Sequence, residues 1–525
     1  MSGCSTASGR NVTSALLGID IGTSACKALL LDLQGRVLAS ADASYPLATP
    51  RPGWTEQDPA LWIEGARAAV ARVLERAGLV EILCIGLSGQ MHGLTPLDAA
   101  HRVLRPAILW NDQRSHAESE AIVVAAGGEE ALLARTNNRM LVGYTGGKIL
   151  WMQRHEPDLY AQMAVALNPK DYLRLVLTGE VASEVSDASG TGFFDTRERV
   201  WATDVIEASG IDPALLPRAP ESQEISGRVS RSGAALFGLP EGVPVAGGGG
   251  DSVVQTFGSG VIAPGELQTT IGTGGILAAA IDSPRDNPGG RLQMFCNVLP
   301  HRWHCMGVSL NAGGAMVWLH EAFYAAAADA APDFAAIVAE AATSPAGARG
   351  LLFLPYLNGE RCPYPDPTAR GAFIGLTGRH RRSDMARAVM EGVTHALGTM
   401  HAVMRPLGID GTVIKASGGG ARSELWRQIQ ADLFGCEVIT TEGAAEGAAF
   451  GAALVAGLAV GIWADAVAAT AHCRPLTRNT PQVKGAATQH RAHVIYKTLY
   501  PALQDSFAQL AELEVANIAN QGEGH

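Results

Sequence analysis

Residues 15–41 read ALLGIDIGTSACKALLLDLQGRVLASA and alternate β-forming runs with short turns. The pattern predicts three strands and two turns, at Leu16–Ile21, Gly22–Ser24, Lys27–Asp32, Gln34–Gly35 and Arg36–Ala41. Short strands joined by tight turns pair with one another, so the stretch predicts an antiparallel meander. Next, residues 59–77 have the apolar spacing of a helix, and residues 80–93, VEILCIGLSGQMHG, favour a buried strand. Strands that alternate with helices in this way predict an α/β fold.

The opening pattern recurs in the second half of the chain. Residues 265–282, GELQTTIGTGGILAAAID, place a Gly-Thr turn at Gly272–Gly275 between two β-forming runs. A turn of this kind can bring backbone N–H groups and a threonine hydroxyl against an anion. One such turn is typical of any hairpin. Two of them, about one domain apart, predict a duplicated architecture in which the turns face one another across bound phosphates.

Four consecutive glycines precede an aspartate in residues 243–260, VPVAGGGGDSVVQTFGSG. Glycine loses more conformational freedom on folding than any other residue, so the run indicates that something approaches the backbone closely. The stretch predicts a strand, a glycine turn and a helix that begins near Asp251. Asp251 is then either a helix cap or a reactive carboxylate, and the stretch alone leaves both interpretations open.

A third glycine cluster lies in residues 413–435, VIKASGGGARSELWRQIQADLFG. A strand leads into Gly418–Gly420, and a helix is predicted from Arg422 or Ser423, an order that suits nucleotide binding. The dinucleotide and P-loop fingerprints are both missing from the sequence, which disfavours a Rossmann dehydrogenase and a P-loop enzyme. Residues 442–458, EGAAEGAAFGAALVAGL, predict a helix packed closely on its neighbours.

Length, charge and composition exclude several further classes of function. The 525 residues suggest two large domains or three smaller ones, and the net charge of −11 disfavours a nucleic-acid partner. Apolar runs of 18 residues are missing from the sequence, so we expect no membrane span. Eight scattered cysteines without C-x-x-C pairs indicate buried thiols in a reducing cytoplasm. Residues 1–14 are polar and are predicted to be a disordered lead-in.

Taken together, these stretches resemble the FGGY family of carbohydrate kinases, in the actin/hexokinase-like superfamily. The resemblance rests on GIDIGTSACK (18–27), GYTGGKILWMQRH (143–155) and GAFIGLTGRHRRSDMARAVME (371–391). It implies an α/β fold of two ribonuclease H-like domains with a cleft between them. The implied organisation is a sugar-binding domain at 15–257, a nucleotide-binding domain at 258–500, and a C-terminal helix and tail at 501–525.

Within the family, the chain is similar to members that phosphorylate D-xylulose. The similar stretches are GWTEQDP (53–59), GQMHG (89–93), VLRPAILWNDQR (103–114), NPKDYLRLVLTGE (168–180) and LPYLNGER (354–361). The implied reaction transfers the terminal phosphoryl group of ATP to D-xylulose in the cytoplasm, with Mg²⁺. Other ketoses or polyols, such as L-ribulose or L-xylulose, stay open as substrates. An actin-like ATPase, a catalytically dead sugar sensor and a homodimer stay open as well.

The resemblance also implies roles for single residues. Asp251 is the expected general base, and Asp20 is expected to hold Mg²⁺ through water. The expected sugar contacts are Met91, His92, Asp112, Arg114 and Trp54. The expected ATP contacts are Thr23, Lys27, Gly272, Thr273, Gly419, Gly420 and Ser423, with Asn358 nearby. Lys148 and Trp151 are expected to be scaffold residues.

Overall fold

The structure is a computed structural model that describes residues 12–324 and 332–522, with side chains through Glu514. By internal contacts the chain divides into two units. Unit 1 contains the described residues up to Gly260, together with Met294–Trp303 and Glu446–Cys473. Unit 2 contains the rest of the described chain. Unit 1 is therefore built from three separate segments of the sequence.

The strands and helices are named here in chain order. The strands are β1 (Thr13–Ile21), β2 (Ala25–Asp32), β3 (Val37–Ser44), β4 (Glu56–Gln57), β5 (Val80–Gly89), β6 (Thr95–Leu97), β7 (Ala107–Ile108), β8 (Val165–Leu167), β9 (Phe194–Asp195), β10 (Val200–Trp201), β11 (Ile225–Arg228), β12 (Pro244–Ala246), β13 (Gly249–Gly250), β14 (Gly265–Ile271), β15 (Gly275–Ile281), β16 (Gln293–Cys296), β17 (Trp303–Ser309), β18 (Leu352–Pro355), β19 (Gly371–Ile374), β20 (Gly411–Ser417), β21 (Glu437–Thr441) and β22 (Pro475–Asn479). The helices are α1 (Pro59–Ala77), α2 (His116–Ala125), α3 (Glu129–Thr136), α4 (Thr145–His155), α5 (Pro157–Tyr160), α6 (Pro169–Thr178), α7 (Val185–Ser189), α8 (Thr203–Ala208), α9 (Arg231–Phe237), α10 (Asp251–Gly258), α11 (Gly313–Phe323), α12 (Phe334–Ala342), α13 (Arg382–Met404), α14 (Glu424–Phe434), α15 (Ala448–Ala459), α16 (Ala466–Thr470) and α17 (Val483–Gly522).

Unit 1 is organised around a sheet whose main path runs β11–β12–β5–β1–β2–β3. Strands β1, β2 and β3 pair antiparallel, which confirms the predicted meander, whereas β5 runs parallel to β1. Helix α1 packs on β2 and β3 and buries Trp62 in the core of this layer. Its start is fixed by Asp58, whose carboxylate accepts from the Ala60 N–H at 2.9 Å, and by Pro59 at the first helical position. The predicted helix at 59–77 is confirmed.

Helix α15 packs on β1 and β5 of the same sheet. A Cβ atom on Gly18 would lie 1.9 Å from the Ala449 carbonyl oxygen, and one on Gly86 would lie 1.8 Å from that of Ala452. The helix can approach this closely because glycine lines the sheet beneath it and small residues dominate its own surface. The predicted close packing of this helix is confirmed.

Unit 2 repeats the pattern of unit 1. Six strands of its sheet run in the order β17–β15–β14–β20–β21–β22. As with β2, β1 and β5, strand β15 pairs antiparallel with β14, and β14 pairs parallel with β20. Each sheet then continues with a parallel strand and an antiparallel edge strand. The sheet orders confirm the predicted duplication, and the placement of the two turns across bound phosphates stays a prediction.

Several predicted boundaries differ from those of the elements and contact units in the structure. The predicted lead-in at 1–14 lies outside the described residues as far as residue 11, but Thr13 and Ser14 belong to β1. The predicted boundary after residue 500 falls inside α17, which runs without a break from Val483 to Gly522. The predicted domains at 15–257 and 258–500 also place residues 446–473 in the second domain, whereas these residues pack with unit 1.

The cysteines of the described chain are all free and buried, as the sequence predicts, whereas Cys4 lies outside the described residues. Within the described residues, none of the helices is both long enough and apolar enough to cross a membrane.

Candidate active site

The glycine run, residues 247–250, presents Asp251 at the first position of α10. Gly248 has a φ of +74°, and a Cβ there would lie 2.0 Å from the Leu87 carbonyl oxygen. A Cβ on Gly250 would lie 2.6 Å from the Cγ and Sδ atoms of Met91. The run is therefore glycine because it lies directly against the end of β5 and the loop that follows it.

Strand register brings Asp20 close to Asp251. Asp20 on β1 is paired with Ser88 on β5, and Ser88 is paired on its other side with Gly249 of the glycine run. Both carboxylates therefore emerge where β1, β5 and β13 end. Burial raises the pKa of Asp251 to about 7, and repulsion by Asp20 adds to the effect.

Asp20 itself is a partly buried carboxylate. Burial raises its pKa to about 6, while the nearby Ser88 hydroxyl and the charge of Lys27 oppose the rise. One of its oxygens, Oδ1, has no hydrogen-bond partner among the described residues. Among those residues, moreover, no group of three or more acidic, histidine or cysteine side chains forms a ready-made metal cage. An oxygen left open, in a pair of repelling carboxylates, fits Mg²⁺, which takes one or two protein carboxylates and keeps several waters.

The opposite end of the glycine run is held by buried charges. Arg174 donates a hydrogen bond to the Gly247 carbonyl, and Lys170 lies 3.5 Å from the same oxygen. Both cations pair with Asp171, and all three side chains are fully buried. Sequence reasoning missed this cluster, although charged residues inside the otherwise apolar stretch NPKDYLRLVL are an available signal.

Met91 and His92 occupy the loop after β5. His92 has a φ of +69°, its Nδ1 lies 2.7 Å from the Gly190 carbonyl oxygen, and its ring packs on Tyr144 at 4.7 Å between centroids. The ammonium of Lys148 donates to the His92 carbonyl at 2.6 Å. Burial lowers the pKa of Lys148 to about 7. Lys148 thus holds a strained loop in place, which agrees with the scaffold role expected for it.

Asp112, Arg114 and Trp54 form a second cluster. Arg114 pairs with Asp112 at 2.7 Å, and its guanidinium lies 3.7 Å from the centroid of the Trp54 ring. Asp112 is fully buried and also accepts from the backbone N–H of Thr55 at 2.6 Å. Because protein donors occupy both carboxylate oxygens, the pair is arranged to support the Trp54 loop.

Side chains in and beside the first Gly-Thr turn form hydrogen bonds and an ion pair with other parts of unit 1. The Thr23 hydroxyl donates to Gln90 at 3.2 Å and accepts from the indole N–H of Trp110 at 3.0 Å. Lys27 forms an ion pair with Glu446 at 2.6 Å. The side chains expected to contact phosphate in this turn therefore already have protein partners, and Gln90 is a further neighbour that sequence reasoning missed.

In unit 2, the second Gly-Thr turn and the third glycine cluster come together. Thr270 on β14 is paired with Ser417 on β20, and the two strands run parallel. Gly272 and Thr273 therefore emerge beside Gly418–Gly420, where both strands end. A Cβ on Gly420 would lie 2.6 Å from Cγ2 of Ile271, directly before the turn. Gly419 belongs to a short 3-10 turn ahead of α14.

Two predicted neighbours of this edge have structural partners. Ser423 caps α14 by accepting from the Trp426 N–H at 3.1 Å, and Asn358 donates to Asn311 at 2.9 Å. Sequence reasoning missed Glu360, a buried carboxylate that accepts from the Ser309 hydroxyl and the Leu310 N–H. The loop that Glu360 holds donates in turn from Ala312 to the Thr273 carbonyl at 2.8 Å.

Comparison with known proteins settles the family. Residues 15–258 match the model of the FGGY family of carbohydrate kinases, N-terminal domain, and residues 267–460 match that of the C-terminal domain. The chain belongs to the FGGY family of carbohydrate kinases. The kinases of this family use ATP as substrate.

Similar proteins include a xylulose kinase from Escherichia coli (strain K12), 39% identical over 80% of this chain and 84% of that protein. Among solved structures, a xylulose kinase from Rhodospirillum rubrum has a TM-score of 0.86 at 32% identity, over 94% of this chain and 100% of that one. A gluconate kinase from Lactobacillus acidophilus has a TM-score of 0.88 at 26% identity, over 95% and 100% of the two chains. The fold of this FGGY kinase is thus shared by proteins named for different substrates.

Proposed function

We propose that this FGGY kinase transfers the terminal phosphoryl group of ATP to D-xylulose, giving D-xylulose 5-phosphate and ADP. The observation that carries the proposal is the Asp251 carboxylate, held by the glycine run beside Met91 and Asp20 with a pKa of about 7. A base with a pKa near the working pH accepts a proton most effectively. The sugar substrate is the one named for the Escherichia coli and Rhodospirillum rubrum relatives.

In this mechanism Asp251 accepts the proton of the attacking sugar hydroxyl. Phosphoryl transfer passes through a loose transition state, so the enzyme contributes mainly position and charge. Met91 and His92 line the sugar side, and Trp54 offers a face for the sugar's apolar edge. Asp112 and Arg114 act by holding Trp54.

The nucleotide is proposed to bind to unit 2. Gly272 and Thr273 offer backbone N–H groups and a hydroxyl to the phosphates, and Gly419 and Gly420 allow the adenosine to approach the backbone. Asp20 would hold Mg²⁺ through water, and the bound cation would neutralise charge on the transferring phosphoryl group. Lys27 is placed by its pair with Glu446 to limit the negative charge around Asp20. The seven free cysteines suit a cytoplasmic enzyme.

The test is a coupled ADP-release assay with Mg²⁺-ATP over D-xylulose, L-xylulose, L-ribulose, glycerol and gluconate. We expect D-xylulose to give the highest kcat/KM. ATP turnover that does not depend on any sugar would instead favour an actin-like ATPase. A clear preference for another sugar would change the assigned substrate and leave the kinase assignment intact.

The Asp251→Asn variant tests the base. We expect it to retain D-xylulose binding by calorimetry and to lose at least about a hundredfold in kcat, the usual contribution of a general base. A loss below about tenfold would contradict the role.

In the same assay, Asp20→Asn is expected to require more Mg²⁺ for half-maximal rate. An unchanged Mg²⁺ dependence would remove Asp20 from the metal site.

A further inference from the structure

A buried serine contacts the peptide directly before Asp251. The Ser186 hydroxyl oxygen accepts from the backbone N–H of Gly250 at 3.0 Å. Ser186 is fully buried on α7, and Gly250 is buried as well. A buried N–H without an acceptor is energetically unfavourable, so this hydrogen bond restrains the peptide directly before the carboxylate.

Glu184 fixes the direction of that hydrogen bond. Its carboxylate accepts from the Ser186 hydroxyl at 2.8 Å, and also from the Ser222 hydroxyl at 2.7 Å and the Asp187 N–H at 2.8 Å. A hydroxyl has one proton to donate, and that of Ser186 is given to Glu184. The lone pairs of Ser186 are therefore left to receive the Gly250 N–H.

Besides this hydrogen bond, Gly250 is held by its pairing with Gly89 of β5 in the two-residue strand β13. Met91 fills the space where a side chain would lie, so the residue must be glycine. It is also the last residue before α10 begins. A shift of the Gly250 peptide would pass directly to Asp251, and a misplacement of about 1 Å in an active site costs about a hundredfold in rate.

We propose that Ser186, oriented by Glu184, is a positioning residue for the Asp251 carboxylate. The inference rests on the proposed role of Asp251 as the base. It assigns to Ser186 no contact with the sugar or with ATP. Ser186 acts only through the Gly250 peptide, so its effect must disappear when Asp251 no longer serves as base.

The chain offers a matched control on the same helix. Ser189, three residues further along α7, is also buried and accepts from a backbone N–H at 3.0 Å, that of Cys296. Ser189→Ala removes the same kind of bond and touches neither the glycine run nor Asp251. Thermal unfolding of Ser186→Ala and Ser189→Ala shows whether both variants fold, and Ser186→Cys, with a weaker acceptor of similar size, replaces Ser186→Ala if that variant does not.

The experiment is a double-mutant cycle, assayed on the sugar that the wild-type enzyme prefers in the panel. We expect Ser186→Ala to lower kcat about tenfold with the KM for ATP unchanged, and Ser189→Ala to change kcat by less than about twofold. In the Asp251→Asn background, Ser186→Ala is expected to cost nothing more. Equal losses from Ser186→Ala and Ser189→Ala, or the same loss in both backgrounds, would overturn the proposal. If the wild-type enzyme does not phosphorylate D-xylulose but does phosphorylate another sugar, only the substrate assignment changes. The cycle is then measured on that sugar and still tests the role of Ser186.

Discussion

At the scale of single residues, the two neighbouring carboxylates lower the free energy of unfolding by an amount that depends on pH. Asp20 and Asp251 have pKa values of about 6 and about 7 in the folded protein, against an ordinary value of 3.8. Between pH 4 and pH 7 the unfolded chain therefore releases protons that the folded chain still holds. Stability contributed by these protons is present at low pH and is lost as the pH rises through 6–7.

The Asp251→Asn variant removes one of the two charges, so its advantage over the wild type should grow with pH. We expect the difference in Tm, measured without ligands, to be about 2 °C larger at pH 8 than at pH 5, which corresponds to about 1 kcal/mol after allowance for solvent screening. Asp42→Asn, at an exposed position of β3, is the control and should show no such trend. A difference in Tm that stays constant from pH 5 to pH 8 would refute the repulsion argument.

At the scale of secondary structure, close helix–sheet packing depends on glycine in the sheet. Gly86→Ala would place a Cβ atom 1.8 Å from the Ala452 carbonyl oxygen, and backbone on both sides cannot move freely. We expect a loss of about 3 kcal/mol or more in stability, at the upper end for overpacked sites. Gly378→Ala meets nothing within 4 Å and should leave the Tm unchanged or slightly higher. Similar Tm values for the two variants would contradict the packing of α15 on β5.

Local pattern explains which elements could be predicted from the sequence. The meander, α1 and the Gly-Thr turns follow from spacing within about 20 residues, and each was predicted within a few residues of its observed bounds. Contacts between distant residues leave no such signal. The hydrogen bond between Ser186 and Gly250 joins residues 64 apart, and α15 joins unit 1 from the far end of the chain. Buried Lys170 and Arg174 were missed because charged residues are normally exposed.

At the scale of the whole molecule, the two duplicated units differ in charge at one equivalent pair of positions beside the Gly-Thr turns. Asp20 and Thr270 each stand two residues before the glycine of a Gly-Thr turn, and each pairs with a serine on the parallel strand. In unit 1 the pair is a carboxylate beside Ser88. In unit 2 it is neutral, with the Thr270 and Ser417 hydroxyls 2.8 Å apart. At this pair of positions, therefore, only unit 1 carries a carboxylate, which would repel phosphate oxygens unless a cation lay between them.

The two turn threonines should consequently differ in function. Thr273 is exposed on the neutral turn, whereas the Thr23 hydroxyl is already bonded to Gln90 and Trp110. We expect Thr273→Val to raise the KM for ATP about tenfold, the value of one hydrogen bond to a charged group, with the sugar KM unchanged. Thr23→Val should instead raise the sugar KM, because Gln90 precedes Met91 and His92, and should change the KM for ATP less than twofold. Steady-state kinetics with each substrate varied in turn measures both effects. Equal changes in the KM for ATP would mean that both turns bind phosphate through their hydroxyls, and that the difference between Asp20 and Thr270 does not separate their roles.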